Sequence, residues 1–273
     1  MDCATICQRL VKTAFSFLFS FGVLYPAMGL DVAERIVIDW KIIAEGMEYA
    51  EIQGSHYCRS GSPIIAAVRV SPDHWRFETG YYKDLPSGHR LSANSWRHLK
   101  NAVFVFNAGL YAENYRHLGL LFSRGRNLGS KLHGSWKGLF VAHPIDDDLP
   151  SARIIDLQNE KLLEKDIRYK EAVQSLMLFD RDGNLRVRRT ENQARRTAIA
   201  ESKSGKILIF VSRGEYTLWE FAEILMRLDA DIMHAMSLDG GAQSQLSIEL
   251  PQLSVNIPET QITIPAVILG YSR

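Results

Sequence analysis

An acidic residue directly before two glycines is the first feature of this sequence that could carry chemistry. Asp239 ends an apolar run, and Gly240, Gly241, Gln243 and Ser244 follow it. Glycines let a backbone approach a ligand closely, and their amides can surround an anion. A carboxylate placed there could donate a proton, act as a nucleophile or bind a hydroxyl group. The alternative is a plain Asp-Gly turn between two strands, and spacing alone favours that turn.

A second segment has the same form. The apolar run AVFVF ends at Asn107, and the small residue Gly109 and the aromatic Tyr111 come after it. A polar residue followed by a tight turn is what a strand end in a binding cleft requires. Two strand ends of this kind could meet in one cleft, but spacing alone does not decide it.

Composition limits the classes of protein to consider. The chain has 273 residues, of which 46% are hydrophobic, so it can build a sizeable core in one large or two small domains. Its 32 Lys and Arg are nearly balanced by 31 Asp and Glu. Nucleic-acid binders usually carry a clear basic excess, so no nucleic-acid partner is predicted.

Residues 1–29 have the pattern of a secretory signal. Arg9 and Lys12 precede an apolar stretch at residues 13–25, and the small residues Ala27 and Gly29 fit a peptidase site. The stretch is shorter than the roughly 20 residues of a membrane span, so no transmembrane span is expected after cleavage. Cleavage leaves Cys58 as the single cysteine, which excludes an internal disulfide. We therefore predict a periplasmic or secreted protein whose domain covers residues 30–273.

The rest of the sequence alternates between short β-branched runs and turn residues. Hairpins are predicted with turns at residues 124–125, 181–184 and 202–206, and helices at residues 92–100 and 217–230. The second helix begins with a capping box, in which Thr217 and Glu220 are three residues apart. The pattern predicts a single α+β domain with a strand-rich mixed sheet and few helices.

Five segments, in this order, resemble the signatures of the phosphodiester glycosidase family. They are FNAGLY, GLLFSRGRNL, VQSLML, RRTAIA and SLDGGAQSQL, and the likeness spans roughly residues 40–273. The chain departs from the family pattern at Ala242, Gln243, Ala200 and Leu176, where the family has small residues or a serine. These departures concern the substrate and catalytic detail more than the fold.

The resemblance implies an exported hydrolase that releases a sugar from a sugar phosphodiester or a related envelope glycoconjugate. It implies Asp239, Asn107 and Arg196 as catalytic residues, the arginine because its planar fork suits phosphate. Residues implied to bind substrate are Gly109, Tyr111, Thr197, Gly240, Gly241, Gln243 and Ser244. The alternative is a non-catalytic carbohydrate-binding or polysaccharide accessory protein on the same scaffold, with Gln243 as the mark of lost chemistry.

Three further expectations concern the site. Glycosidases usually employ two carboxylates, and the second here is Glu113 or Asp180, each of which also fits a solvated loop residue. No cofactor or metal is predicted, although the acidic run at residues 146–148 leaves a bound divalent cation such as calcium open. The strands that end at Asn107 and Asp239 should be near neighbours in one sheet, with Arg196 facing the same cleft.

The leader generates a first prediction. Because charge, apolar core and small residues follow in the order that export requires, we expect residues 1–29 to be removed. N-terminal sequencing of the mature protein isolated from cells should begin near Leu30. Recovery of an intact Met1 from the periplasm or medium would contradict this.

Overall fold

The structure, a computed structural model, describes residues 35–54, 56–258 and 262–273. Residues Arg35–Arg273 form one compact unit. The predicted leader and its cleavage boundary lie outside the described residues. In the described part of the chain, neither α-helix has the length and apolarity that a membrane crossing requires.

Sixteen strands and two α-helices make up the described fold. The strands are β1 (Lys41–Ala44), β2 (Met47–Gln53), β3 (Ile64–Val70), β4 (Trp75–Tyr81), β5 (Phe104–Asn107), β6 (Leu121–Ser123), β7 (Arg126–Asn127), β8 (Gly138–Pro144), β9 (Ala152–Asp156), β10 (Tyr169–Phe179), β11 (Thr197–Ser202), β12 (Ile207–Ser212), β13 (Ile232–Ser237), β14 (Leu246–Leu250), β15 (Leu253–Ile257) and β16 (Ala266–Ser272). The helices are α1 (Ala93–Lys100) and α2 (Leu218–Arg227).

The strands form two sheets. The larger has eleven strands in the order β1-β2-β3-β12-β11-β13-β10-β6-β7, with β8 pairing to β10 and β9 to β8. The smaller has five, in the order β15-β14-β5-β16-β4. The strand-rich prediction with few helices is confirmed, but the mixed sheet is wrong because the strand pairs of both sheets are antiparallel. Parallel neighbours need long crossover connections, usually helices, whereas six of the fourteen antiparallel pairs among the described strands join strands that are consecutive in the chain.

The sheets and helices stack in four layers. Ile207, Ile209 and Val211 of β12 point towards the smaller sheet, where they share a core with residues such as Phe106 and Ile268. The alternate residues of β12 pack against α2 on the other face of the larger sheet. Helix α1 covers the outer face of the smaller sheet, with Trp96 fully buried. Strands covered on both faces are apolar throughout, which explains the uninterrupted hydrophobic run of β12.

The predicted helix starts are confirmed. The Ser92 hydroxyl accepts a hydrogen bond from the Ser95 amide at 3.2 Å and caps α1. In α2 the capping box closes in both directions, because the Thr217 hydroxyl accepts from the Glu220 amide at 3.1 Å and the Glu220 carboxylate accepts from the Thr217 amide at 2.8 Å. Both caps supply partners to backbone amides that a helix leaves unpaired.

Between the sheets, the core is closed by an aromatic cluster around Phe104. Its ring lies 5.8 Å from the ring of Trp75 and 5.9 Å from that of Phe77. Gly270 is the cross-strand neighbour of Phe104, and a Cβ atom there would overlap the Phe104 ring. Because the surrounding rings leave no room for movement, this position accepts only glycine.

We therefore expect Gly270→Ala to destabilise the fold by about 2 kcal/mol or more, as overpacking of a rigid core does. Gly134→Ala is the matched control, because a Cβ at Gly134 meets nothing within 4 Å and its φ is not positive. Chemical denaturation of the two variants measures the difference. Equal stability of Gly270→Ala and wild type would show that the cluster can relax.

Candidate active site

The ends of four strands, β5, β11, β13 and β14, are joined by the side-chain amide of Asn107. Its Oδ1 accepts hydrogen bonds from the Thr197 hydroxyl at 2.8 Å and the Gln245 amide at 3.0 Å. Its Nδ2 donates to the Asp239 carbonyl oxygen at 2.9 Å. The backbone adds a further bond, in which the Asp239 amide donates to the Ala108 carbonyl oxygen at 3.1 Å. These contacts define the strand-end junction, which fixes the chain at Asp239.

The junction differs from the sequence expectation in two respects. Asn107 ends β5 of the smaller sheet, whereas Asp239 follows β13 of the larger one, so the prediction of one shared sheet is wrong. Asn107 is only 1% exposed and Thr197 is fully buried. Because their polar side-chain atoms already bond within the protein, these residues hold the strand ends in position.

Asp239 is the ionisable group that the junction holds in place. The carboxylate is partly buried, and this burial raises the pKa of Asp239 to about 6, while the Gly240 amide opposes the change by donating to Oδ1 at 2.9 Å. Within the described part of the chain, that amide is the carboxylate's one hydrogen-bond donor. The second oxygen is therefore available to a ligand. A carboxyl that titrates near neutrality is suited to proton transfer or to stabilising a developing positive charge.

The two glycines after Asp239 do not form the expected anion site. The Gly240 amide binds the Asp239 carboxylate, and the Gly241 amide donates to the Arg195 carbonyl oxygen at 2.8 Å. Gly241 has a left-handed φ of 66°, and a Cβ on Gly240 would lie 3.0 Å from the Arg195 carbonyl oxygen. Glycine is needed here so that the chain can pack closely against the segment before β11.

Arg196 also differs from the fork expected for phosphate. Its Nε donates to the Tyr216 carbonyl oxygen at 2.7 Å, and its Nη2 donates to the Asn192 carbonyl oxygen at 2.6 Å. A Cβ on Gly240 would lie 3.4 Å from Nη1, so the guanidinium does reach the loop that carries Asp239. The edge formed by Nε and Nη2 is occupied by backbone carbonyl oxygens, and Arg196 therefore organises loops around the junction.

The remaining predicted residues divide into two groups. Gly109 packs against buried groups, because a Cβ there would lie 2.8 Å from Nε2 of His117, whose burial lowers its pKa to about 4. Gln243 and Ser244 each present a buried side-chain oxygen that has no partner among the described residues. Unpaired buried oxygens are costly, so these two are candidates to accept hydrogen bonds from a ligand.

An aromatic wall that sequence reasoning largely missed lies beside Asp239. Tyr111 lies three residues after Ala108, whose carbonyl oxygen accepts from the Asp239 amide, and burial, and next the charge of Asp239, raise the pKa of Tyr111. The Tyr111 ring lies 5.8 Å from that of Tyr115, and the guanidinium carbon of Arg90 lies 3.5 Å from the centre of the Tyr115 ring. Tyr111 was predicted; Tyr115 and Arg90 come from polar loops that match no motif.

The second carboxylate of a glycosidase pair is not supplied by Asp180. Its oxygens accept hydrogen bonds from Asn184 and from Arg186, with Oδ2 2.6 Å from Arg186 Nη2. Glu113 is exposed in the loop between Tyr111 and Tyr115, and it remains the candidate. The described residues contain no group of three or more acidic, His or Cys side chains that could hold a metal ion. In the acidic run, Asp146 is engaged by Arg168 through two contacts of 2.8 Å.

The raised pKa of Asp239 has a consequence for stability. A carboxyl with a higher pKa in the folded chain than in the unfolded chain stabilises the fold when protonated, and this contribution is lost as pH rises from about 4 through about 6. Asp239→Asn should therefore raise the free energy of unfolding at pH 8, on the order of 1–2 kcal/mol, and change it little at pH 4.

Asp180→Asn is the control, because it should change the free energy of unfolding at pH 8 in the opposite direction. Burial alone would raise the pKa of Asp180, but hydrogen bonds from Asn184 and Arg186 hold it below its usual value. That variant should therefore lose stability at pH 8. Chemical denaturation between pH 4 and pH 8 tests both variants, and a wild-type pH dependence in Asp239→Asn would contradict the burial argument.

Comparison with known proteins identifies a family whose sequence pattern includes the junction residues. The sequence model of phosphodiester glycosidases matches residues 100–269, which include Asn107, Arg196 and Asp239. No curated protein matches the sequence.

Two solved structures share the fold at low sequence identity. The zebrafish N-acetylglucosamine-1-phosphodiester alpha-N-acetylglucosaminidase catalytic domain, auto-inhibited by its pro-peptide, is similar with a TM-score of 0.58 and 16% identity, over 86% of this chain and 82% of that chain. A hypothetical protein from Synechocystis is similar with a TM-score of 0.59 and 14% identity, over 86% of this chain and 64% of that chain. Because the family match covers more than half of the sequence, the chain belongs to the phosphodiester glycosidase family.

Proposed function

We propose that this protein is an exported hydrolase, periplasmic or secreted, that releases a sugar from a sugar phosphodiester or a related envelope glycoconjugate. Family membership supports a glycosidase-type activity. The zebrafish relative is named for an N-acetylglucosamine 1-phosphodiester, and we propose the same type of bond as the target here. The observation that carries the proposal is Asp239, a partly buried carboxylate with an available oxygen, held at the meeting point of four strand ends.

The chemistry of the bond assigns a role to Asp239. Hydrolysis adds water to the anomeric carbon, and the C–O bond breaks with its electron pair leaving on a phosphomonoester. A phosphomonoester is stable as an anion, so it departs without a proton from the enzyme. The carboxylate is therefore needed in its ionised form, where it stabilises positive charge at the anomeric carbon or takes a proton from the attacking water.

Two residues that follow Asp239 in the chain are the proposed partners of the sugar hydroxyl groups. Gln243 offers a buried carbonyl oxygen and Ser244 a buried hydroxyl, neither of which is paired within the described part of the chain. Both follow Asp239 within five residues, in the turn that leads into β14. A ligand hydroxyl that fills these places removes the cost of leaving them unpaired.

Room for the rest of the substrate lies on the side of Tyr111. An open groove of about 800 Å³ is lined by residues that include Arg116, Leu118, Lys131 and His133. It starts next to the loop that carries Tyr111, since the Leu118 amide donates to the Leu110 carbonyl oxygen at 2.8 Å. A groove of this size accommodates a ligand of several rings.

One buried side chain holds the walls of this groove together. Gln174 Oε1 accepts from the amides of Leu120 at 3.1 Å and His133 at 2.9 Å, and its Nε2 donates to the carbonyl oxygens of His133 and Trp136. The His133 and Trp136 rings stack with centres 4.2 Å apart. The groove therefore has a fixed wall at His133, whose ring is supported from behind by Trp136.

The activity itself is tested with N-acetylglucosamine 1-phosphodiesters that carry methyl or sugar aglycones. We expect wild type to release free sugar and a phosphomonoester, and Asp239→Asn to lose ~100-fold or more in kcat/KM. Asp182→Asn is the control, since Asp182 is an exposed carboxylate in a hairpin turn and should keep full activity. Phosphorus NMR follows both products, and circular dichroism confirms that the variants fold.

The pH profile distinguishes the role of the carboxylate. Because the ionised form acts, kcat/KM should rise with pH through about 6 and then level off. A fall through the same pH would show that Asp239 donates a proton instead. Equal cleavage by folded Asp239→Asn would refute the catalytic role, and glycan binding without cleavage of any glycoside would favour the accessory protein.

A further inference from the structure

Arginines stacked on aromatic rings fall into two kinds in this structure. Within the described residues four such pairs occur, namely Arg69 on Trp40, Arg76 on Tyr271, Arg90 on Tyr115 and Arg189 on Trp219. Three of these arginines also pair with a carboxylate, supplied by Glu48, Glu78 and Glu223 respectively. Arg90 is the exception, because the described residues give its guanidinium no acidic partner.

The environment of Arg90 makes this exception costly. Its Nε is buried and has no hydrogen-bond acceptor among the described residues. A buried donor without an acceptor destabilises a fold, and a charged donor does so more strongly. An anion bound to Arg90 would supply both the missing acceptor and the missing charge.

The stacking partner is held in place from two directions. Tyr115 has a left-handed φ of 63°, which is unfavourable for a bulky residue and often marks a functional position. Its amide donates to the Ala112 carbonyl oxygen at 2.7 Å, and its own carbonyl oxygen accepts from the Tyr81 hydroxyl at 3.1 Å. On the other side, the Leu91 carbonyl oxygen accepts from the Ile264 amide at 2.9 Å. Both loops are thus fixed next to the stacked pair.

Arg90 is linked to the candidate active site through two neighbouring tyrosine rings. It stacks on Tyr115, and the Tyr115 ring lies 5.8 Å from that of Tyr111. Tyr111 in turn lies three residues after Ala108, whose carbonyl oxygen accepts from the Asp239 amide at 3.1 Å. A ligand that spans Tyr111 meets the cation with its own anionic end and the carboxylate with its neutral end, and a sugar phosphodiester has this polarity.

We propose that Arg90, stacked on Tyr115, is the residue that binds the phosphate group of the substrate. This assignment rests on the proposed function, and it replaces Arg196, whose Nε and Nη2 are bonded to backbone carbonyl oxygens. The stack orients the plane of the guanidinium and leaves its edge to grip phosphate oxygens in pairs. The groove beyond then receives the group on the far side of the phosphate.

Binding of inorganic phosphate to the full chain, measured by isothermal titration calorimetry at low ionic strength, tests the assignment without turnover. We expect Arg90→Ala to weaken binding about 10-fold or more, since it removes charge-assisted hydrogen bonds. Arg90→Lys should fall between that variant and wild type, because an ammonium cannot grip two oxygens in one plane. Tyr115→Leu should also weaken binding by removing the stack.

Arg76→Ala is the matched control. Arg76 is likewise stacked, 4.2 Å from the centre of the Tyr271 ring, but it pairs with Glu78 and lies at the opposite end of β16 from Asn107. Its loss should leave phosphate affinity unchanged. A thermal melt of each variant shows whether it is folded.

The outcomes separate this assignment from the proposed function. If wild type binds no phosphate, or if folded Arg90→Ala binds it as wild type does, the assignment is overturned, even where sugar release is normal. If phosphate binding depends on Arg90 and wild type releases no sugar from any phosphodiester, the hydrolase is refuted and Arg90 stands as an anion-binding residue.

Discussion

The buried amide of Asn107 is the contact on which the rest of the site depends. It joins the end of β5 in one sheet to Thr197 and Asp239 in the other, and it also engages the chain at Gln245. Removing it would leave a hydroxyl, an amide and a carbonyl oxygen unpaired where water has little access. The position of Asp239 therefore follows from packing between two sheets, and a local Asp-Gly turn would not suffice to hold it there.

Burial then gives the carboxylate its chemical character. The groups around Asp239 are mostly neutral backbone and side-chain amides, which position the carboxylate without neutralising its charge. Arg196 is close in space, but its Nε and Nη2 satisfy carbonyl oxygens of neighbouring loops. Asp239 consequently is less stable as an anion than an exposed aspartate, and its pKa stays raised where an ion pair would have lowered it.

The sequence predicts those features of the fold that local chemistry determines. The caps at Ser92 and Thr217 depend on residues only three positions apart, so pattern reading finds them. The division into two sheets does not leave a local signal, because an apolar strand reads the same in either sheet. The type of Arg196 suggested a phosphate fork, but only the placement of the carbonyl oxygens of Asn192 and Tyr216 shows that the fork is already occupied. Arg90 meets Tyr115 through tertiary structure alone, and no spacing in the sequence indicates that contact.

The amides of Gly240 and Gly241 bond within the protein. This divides the site into a fixed turn around Asp239 and outer loops that can change independently of it. The two glycine amides are committed to Asp239 and Arg195, so this turn cannot be reshaped for a different ligand without moving the carboxylate. The loops that carry Arg90 and Tyr115 are anchored elsewhere, at Ile264 and Tyr81. In the proposed hydrolase, substitutions in those loops would diversify the group recognised on one side of the scissile bond while the carboxylate keeps its position. Such an arrangement would let a lineage of related proteins acquire new ligands through its outer loops alone.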